Sequence, residues 1–472
     1  MIATLGAAPE AGARALRIAS IVAVLALVGA VSVVMPLLAI GLALAVCMAL
    51  RGEKLVEDGI VLLLAGTIIL NYGFANVGVN LGPLPLPLTE VVLFALVGWC
   101  LVQPKWLHGL GLPGLLLAAV LLLATLRLIV DMPRYSTLAV RDYTTPLEAM
   151  VLLVGFWAFN RFGLKWCERL WLLLALAALA YGLLYPIREA IVAASPVVGL
   201  QQAVPLLGQY QGVGAIISAG FFLFLLRFKA PWSFLLGAAC LLIVALFQAR
   251  GLYLVLPLTA VVITFAAGRL KTSLPQRLAG TIFAGVLLML VVMPLAPSGR
   301  MGPVTASFTT QQLGTLIGRK GPGDGSYEDR IGWIRLSWER QTASVTNLIA
   351  GVGLGPDLAN GAAAGPELTR KPHNDYIEII NRYGLAGAIL WAGLFASLLL
   401  PIWRAATSRT HSERERAFLV WVIAGSFVYM FIAATQPLLA FPYGTIPLFM
   451  LLGMGLAQAR RGTSPEAEAA DE

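Results

Sequence analysis

"GLLLAAVLLLATLRLIV", residues 114–130, carries one charge, Arg127, in a run otherwise suited to hydrocarbon. It approaches the ~20 residues a helix needs to cross a bilayer. Similar stretches recur along the chain, as in "LAGTIFAGVLLMLVVMPLA" at 278–296. Over 472 residues, 12% are charged, about half the usual share in soluble domains, and mean hydropathy is +0.83. The stretches are too continuous for a spanning β-barrel, whose strands alternate polar and apolar residues. The sequence predicts an all-α polytopic membrane protein with about twelve to fourteen transmembrane or half-spanning helices.

Charge sets the expected orientation. Most of the 33 lysines and arginines sit in short clusters between apolar segments, such as "NRFGLKWCER" and "WRAATSRTHSERER". That pattern places the clusters and both termini in the cytoplasm. Arg14 and Arg17 precede a first apolar segment, 18–33, that reads as a retained helix and not a cleaved signal; 36–50 is the next. The net charge of +9 is dispersed in this way and shows no nucleic-acid motif. Cys47, Cys100, Cys167 and Cys240 are isolated, without metal or disulfide spacing. The chain divides into N-terminal membrane helices (1–296), an outer loop or cap (297–384), C-terminal membrane helices (385–458) and a disordered cytoplasmic tail (459–472).

The outer loop begins with a turn-rich piece, "GRKGPGDGS". "YEDRIGWIRLSWERQTA" follows, with Ile331, Ile334, Leu336 and Trp338 spaced for an amphipathic helix. "NLIAGVGLGPD" and a Gly/Ala-rich stretch lead to "KPHNDYIEIINRYG", residues 371–384, which holds one of three histidines. The loop reads as a small helical lid.

Five cations lie on the outer side away from this loop, and all are arginine: Arg127, Arg134, Arg141, Arg188 and Arg250. Arginine offers a rigid fork of donors that matches phosphate. Arg127 and Arg134 read as side chains snorkelling to lipid phosphates. Asp142 and Glu189 could neutralise Arg141 and Arg188. Arg250, in the tight hairpin "LLIVALFQARGLYLVLPL", has no neighbouring carboxylate and reads as functional. Converging arginines would bind an oligophosphate, for which a lipid diphosphate is the natural ligand.

His108 and His411 lie in basic cytoplasmic turns, whereas His373 precedes a helix that Asn374 or Asp375 can cap and Gly384 can end. The positive end of that helix favours neutral imidazole, the form a general base needs. Capping alone is the competing role. Asp375 or Glu378 could orient the ring, and Asn374, Asp375 and Tyr376 read as supporting residues. The carboxylates Asp324, Glu328, Asp329, Asp357 and Glu367 are scattered, so no metal or cofactor is expected. "GVGLGP" lacks the spacing and βαβ context of a dinucleotide loop.

Taken in order, Arg250 in "QARG", "GWIRLSW", "NLIAGVGLGP" and "HNDYIEIINRYGLAG" resemble the O-antigen ligase/polymerase superfamily over roughly residues 200–400. The resemblance implies metal-independent, inverting glycosyl transfer from undecaprenyl diphosphate at the periplasmic face of a bacterial inner membrane. The acceptor for a ligase would be a sugar hydroxyl of lipid A–core oligosaccharide. The family's histidine falls on His373 and its hairpin arginine on Arg250; Arg141 and Arg188 are expected to share the diphosphate. Relatives often have Ser where this chain has Ala249. A polymerase and a protein O-oligosaccharyltransferase share the donor, and a transporter of lipid-linked glycan is the reading from another class.

Overall fold

The computed structural model describes residues 52–81, 84–103, 109–200, 203–268, 270, 274–315, 325–358 and 372–461. The segments at 18–33 and 36–50, Cys47, the turn with Lys105 and His108, most of "GRKGPGDGS", the Gly/Ala-rich stretch and the tail from 462 lie outside the described residues.

The longer helices of the described residues begin with α1 (Glu53–Ala65), α2 (Leu88–Leu101), α3 (Gly111–Tyr135), α4 (Thr137–Glu148) and α5 (Val151–Leu183). Next come α6 (Arg188–Ala194), α7 (Val213–Arg227), α8 (Trp232–Phe247), α9 (Arg250–Ala267) and α10 (Leu274–Val292). Residues 297–384 contribute α11 (Ala306–Thr315), α12 (Gly325–Thr342), α13 (Val345–Ala350) and the start of α14 (Asp375–Thr407). The last two helices are α15 (Glu413–Ala433) and α16 (Pro442–Arg461), so residues 459–461 belong to α16 and not to the tail. Among the described residues, six segments are long and apolar enough to cross a membrane: 111–135, 137–183, 250–267, 274–295, 375–407 and 413–433. Helices α2, α7 and α8 are apolar but shorter. The molecule is a bundle of helices with membrane-spanning character.

The helical architecture agrees with the all-α expectation and carries only a little extended structure. Two antiparallel hairpins interrupt the helices: β1 (Gly78–Leu81) with β2 (Leu84–Pro87), and β3 (Val197–Val198) with β4 (Val204–Pro205). Pro85 and Pro87 lack the amide hydrogen that a helix interior requires, which leaves extended pairing for this stretch. Helix α5 runs on past the basic cluster "NRFGLKWCER" as one element, broken only at Gly163 (φ 78°).

The core lies where α5, α7, α15 and α16 meet. A Cβ on Gly155 would fall 2.2 Å from the Met450 carbonyl oxygen, and one on Gly453 2.3 Å from that of Leu152. Glycine lets α5 and α16 approach backbone to backbone, as small residues do between membrane helices. Beside this seam Trp171 and Trp421 pack edge to face at 5.6 Å, and the Trp421 indole donates to the Ala219 carbonyl at 3.0 Å. Helix α10 leaves Phe283 and Leu290 about two-thirds exposed, a face suited to lipid.

Within the 297–384 region, α12 turns the unexpected face inward. Trp333, Ser337 and Gln341 are buried, while Ile331, Ile334 and Trp338 are exposed. On that inward face the Gln341 amide donates to the carbonyls of Asn347 and Leu348 at 2.6 and 3.2 Å, holding α13 against α12.

Candidate functional site

The site forms where α3 ends and α9 and α14 begin. Asn374 caps α14, its side-chain oxygen accepting from the amides of Tyr376 and Ile377, both at 3.1 Å. Its Nδ2 donates to Ala434 O at 2.9 Å, the Tyr376 hydroxyl donates to Met430 O at 2.8 Å, and Asp375 Oδ2 accepts from the Leu439 amide at 2.6 Å. Asn374, Asp375 and Tyr376 thus clip the start of α14 to the end of α15 and the turn after it. Of the two carboxylates named for the His373 ring, Asp375 is turned to Leu439 through Oδ2, and the charge of Glu378 acts on the imidazole.

Trp333 packs against the His373 ring. The two rings stack with centroids 5.0 Å apart and planes 23° apart. His373 itself has φ 51°, a left-handed backbone uncommon outside glycine. Its pKa lies below the ordinary 6.5, first because of burial and second because of the positive charge of Arg330; Glu378 opposes both. Neutral imidazole is therefore favoured by burial and Arg330.

Arg250 opens α9, directly after Gln248 in the left-handed region (φ 48°) and Ala249. The Gln248 side chain braces the start of the loop region: Nε2 donates to Gly302 O at 2.9 Å and Oε1 accepts from the Met301 amide at 2.5 Å. The Arg300 amide donates to Leu246 O at 3.1 Å, which seats Arg300 beside the same hairpin. Arg330 feels both charges: burial, then Arg250 and Arg300, lower its pKa. The arginine and histidine motifs also share a support. A Cβ on Gly251 would meet Thr435 Oγ1 at 2.9 Å, one residue from the Ala434 carbonyl that holds Asn374.

Arg250, Arg300, Arg330 and His373 therefore form one electropositive group at the N-terminus of α9, where the helix dipole adds positive potential. Arg300 and Arg330 were not singled out from the sequence. Both sit in the long loop, where charge says little about orientation, and their signal was again the choice of arginine over lysine.

The other two expected phosphate ligands lie differently. Arg188 Nε donates to Gly208 O at 3.2 Å and its guanidinium lies 6.0 Å from the Tyr185 ring centre. Tyr185 in turn packs on Phe247 at 5.0 Å, so Arg188 borders the hairpin at one remove. Arg141 sits on α4, where its carbonyl accepts from the Thr144 hydroxyl at 2.8 Å. Its expected partner, Asp142, pairs with Arg382 at 2.9 Å.

That pair belongs to a buried network under the glycine loop 351–357. Arg382, 1% exposed, also reaches Glu378 at 3.7 Å and donates to the carbonyls of Gly353 and Pro356 at 3.2 and 2.7 Å. Arg127, expected to snorkel, instead pairs with Asp131 at 3.1 Å and donates to Gly351 O at 3.0 Å. Asp131 and Asp142 accept from the amides of Leu354 and Gly355 at 2.7 and 2.8 Å. The loop docks closely on α14: a Cβ on Gly351 would fall 2.4 Å from Arg382 O, and one on Gly384 2.2 Å from Ile349 O. Among the described residues no group of three His, Cys, Asp or Glu is placed to hold a metal.

A scan against protein-family models and a search of curated proteins give no match.

Proposed function

We propose that this chain is a membrane glycosyltransferase that moves a glycan from undecaprenyl diphosphate to a sugar hydroxyl of lipid A–core oligosaccharide, at the periplasmic face of the bacterial inner membrane. The observation that carries this reading is a histidine held toward its neutral form beside Arg330, which itself neighbours Arg250 and Arg300. A base and an oligophosphate cradle in one place suit attack by a hydroxyl on a diphosphate-linked sugar. Arg227, Arg414, Arg460 and Arg461 lie on helix ends suited to the cytoplasmic side.

In this mechanism the imidazole of His373 accepts the proton of the acceptor hydroxyl as that oxygen bonds to the anomeric carbon. The bond from this carbon to the diphosphate oxygen breaks, and its electron pair leaves on the diphosphate. Arg250, Arg300 and Arg330 stabilise the charge that develops there, and the imidazolium then returns its proton to solvent. The anomeric centre inverts in one displacement.

The decisive assay incubates purified protein with lipid-diphosphate glycan, with and without lipid A–core, and follows product mass. Transfer to the core is expected. Lengthening of the glycan would favour a polymerase, and no covalent change would overturn the enzymatic reading.

Two variants probe the cradle. Arg250→Lys keeps the charge but loses the fork, so donor binding should weaken by about ten- to a hundredfold; unchanged binding would exclude forked recognition. The pH profile tests Arg330. Because neutral His373 is the working form and its pKa is lowered, the acid limb of the wild-type rate should fall below pH 6.5. Removing the positive charge in Arg330→Gln should raise that pKa and move the limb to higher pH. A limb that stays in place would show that Arg330 does not act on the base.

A further inference from the structure

Two helices of the loop region carry an apolar surface that the His373 group does not use. On α12, Ile331, Ile334 and Trp338 are exposed. At about 100° per residue they fall within an arc of roughly 60°. That arc lies between the buried row Trp333, Ser337 and Gln341 and the exposed pair Arg335–Glu339 at 3.2 Å. On α13, Val345 and Ile349 are exposed one turn apart.

Contacts along α14 place this surface at one end of the bundle. Asn374 and Tyr376 donate to Ala434 O and Met430 O, which sets them level with the end of α15. Past Gly384, residues 385–407 run to the short turn that leads into α15. At about 1.5 Å per residue these two rods are each roughly 30–35 Å long, so residues 374–384 begin and end at one membrane boundary. Helix α12 runs beside them. Trp333 stacks on His373, and Gln341 holds α13, where Ile349 O lies 2.2 Å from a Cβ on Gly384. Helix α12 therefore lies across the boundary and not along the bundle axis.

The neighbours of the exposed strip identify what covers it. Leu385 and Ile389 are exposed on the apolar rod, on a face suited to lipid. Ile349 sits beside the start of that rod, so the lipid-facing surface continues from Ile389 through Leu385 to α13. Bulky apolar side chains on one flank, an indole among them, with charged residues on the next, are the mark of a helix lying in the membrane interface. Arg335 and Glu339, paired with each other, offer no net charge to a soluble partner. We propose that α12 and α13 rest in the headgroup–acyl boundary of the leaflet at this end, with Ile331, Ile334, Trp338, Val345 and Ile349 against lipid. Because Trp333 on the inner flank stacks on His373, this contact also fixes the height of His373 above the acyl chains. Such seating requires only a membrane-spanning bundle and holds whether or not the chain transfers glycan.

The test uses the full-length protein in phosphatidylcholine nanodiscs, with a bimane fluorophore on single introduced cysteines. Ile334→Cys and Ile349→Cys report the strip, Ile389→Cys the lipid-facing rod and Glu339→Cys the charged flank. Cys100, Cys167 and Cys240 are buried, and wild type carried through the labelling sets the background. Phosphatidylcholine with a nitroxide near the top of its acyl chain should quench bimane at 334 and 349 by about half or more, as burial ~5–10 Å into the boundary allows. Iodide in the buffer should leave both positions unchanged. Position 389 should behave alike, and position 339 in reverse. Iodide quenching at 334 or 349 comparable to that at 339 would show a surface open to water and overturn the seating. Shielding from both quenchers would show that protein covers the strip, a second copy included, and would overturn it equally.

Discussion

His373→Gln should lower the rate of glycan transfer by about 10²–10⁴-fold, the usual contribution of a general base. Glutamine approximates the size and polarity of the ring but cannot take up a proton at neutral pH. Two features argue that little else would change. The capping hydrogen bonds belong to Asn374, and the contacts to Met430 and Leu439 belong to Tyr376 and Asp375. Donor affinity, carried by the arginines, should persist. Single-turnover transfer at saturating donor and acceptor is the measurement, and a rate within a few-fold of wild type would remove His373 from the mechanism.

The largest effect on stability is expected at Arg382. Its guanidinium is buried against Asp142 at 2.9 Å and Glu378 at 3.7 Å, and it also holds two carbonyls of the glycine loop. Arg382→Met keeps the length of the side chain and leaves buried carboxylates without their counter-charge. Breaking a buried pair in this way costs about 3–5 kcal/mol. Unfolding in detergent should register that loss, and adding Asp142→Asn should restore part of it by removing one stranded charge. A loss below about 1 kcal/mol, or no recovery in the double variant, would show that the pair does not anchor the loop.

Local signals in the sequence were legible because local physics produces them. Asn374 caps α14, Gly384 interrupts it with φ 65°, and the hairpin before Arg250 turns within Gln248 and Ala249. Within the described residues the apolar stretches became helices, since backbone groups in hydrocarbon have few other ways to be satisfied. What stayed hidden depends on partners distant along the chain. Asp142 lies beside Arg141 in sequence yet pairs with Arg382, and Arg127 reaches Gly351. Nothing in the spacing around Arg127 distinguishes a snorkelling side chain from a loop anchor. Periodicity likewise found a helix at α12 but not its inward face, where Gln341 bonds to α13. The arginine group was half visible: Arg250 stood out against its apolar flanks, while Arg300 and Arg330 were masked by a loop already rich in charge.

The break at Gly384 divides α14 into a short bracket that carries the His373 motif and a long apolar rod, Leu385–Thr407. The bracket is fixed by its own contacts to Ile349, Ala434 and Leu439. A membrane rod tilts to match the thickness of the lipid around it, and a continuous helix would carry that tilt to His373 and the arginines. A left-handed joint at Gly384 lets the two parts differ in tilt, which would insulate the geometry between His373 and the arginines from variation in the bilayer.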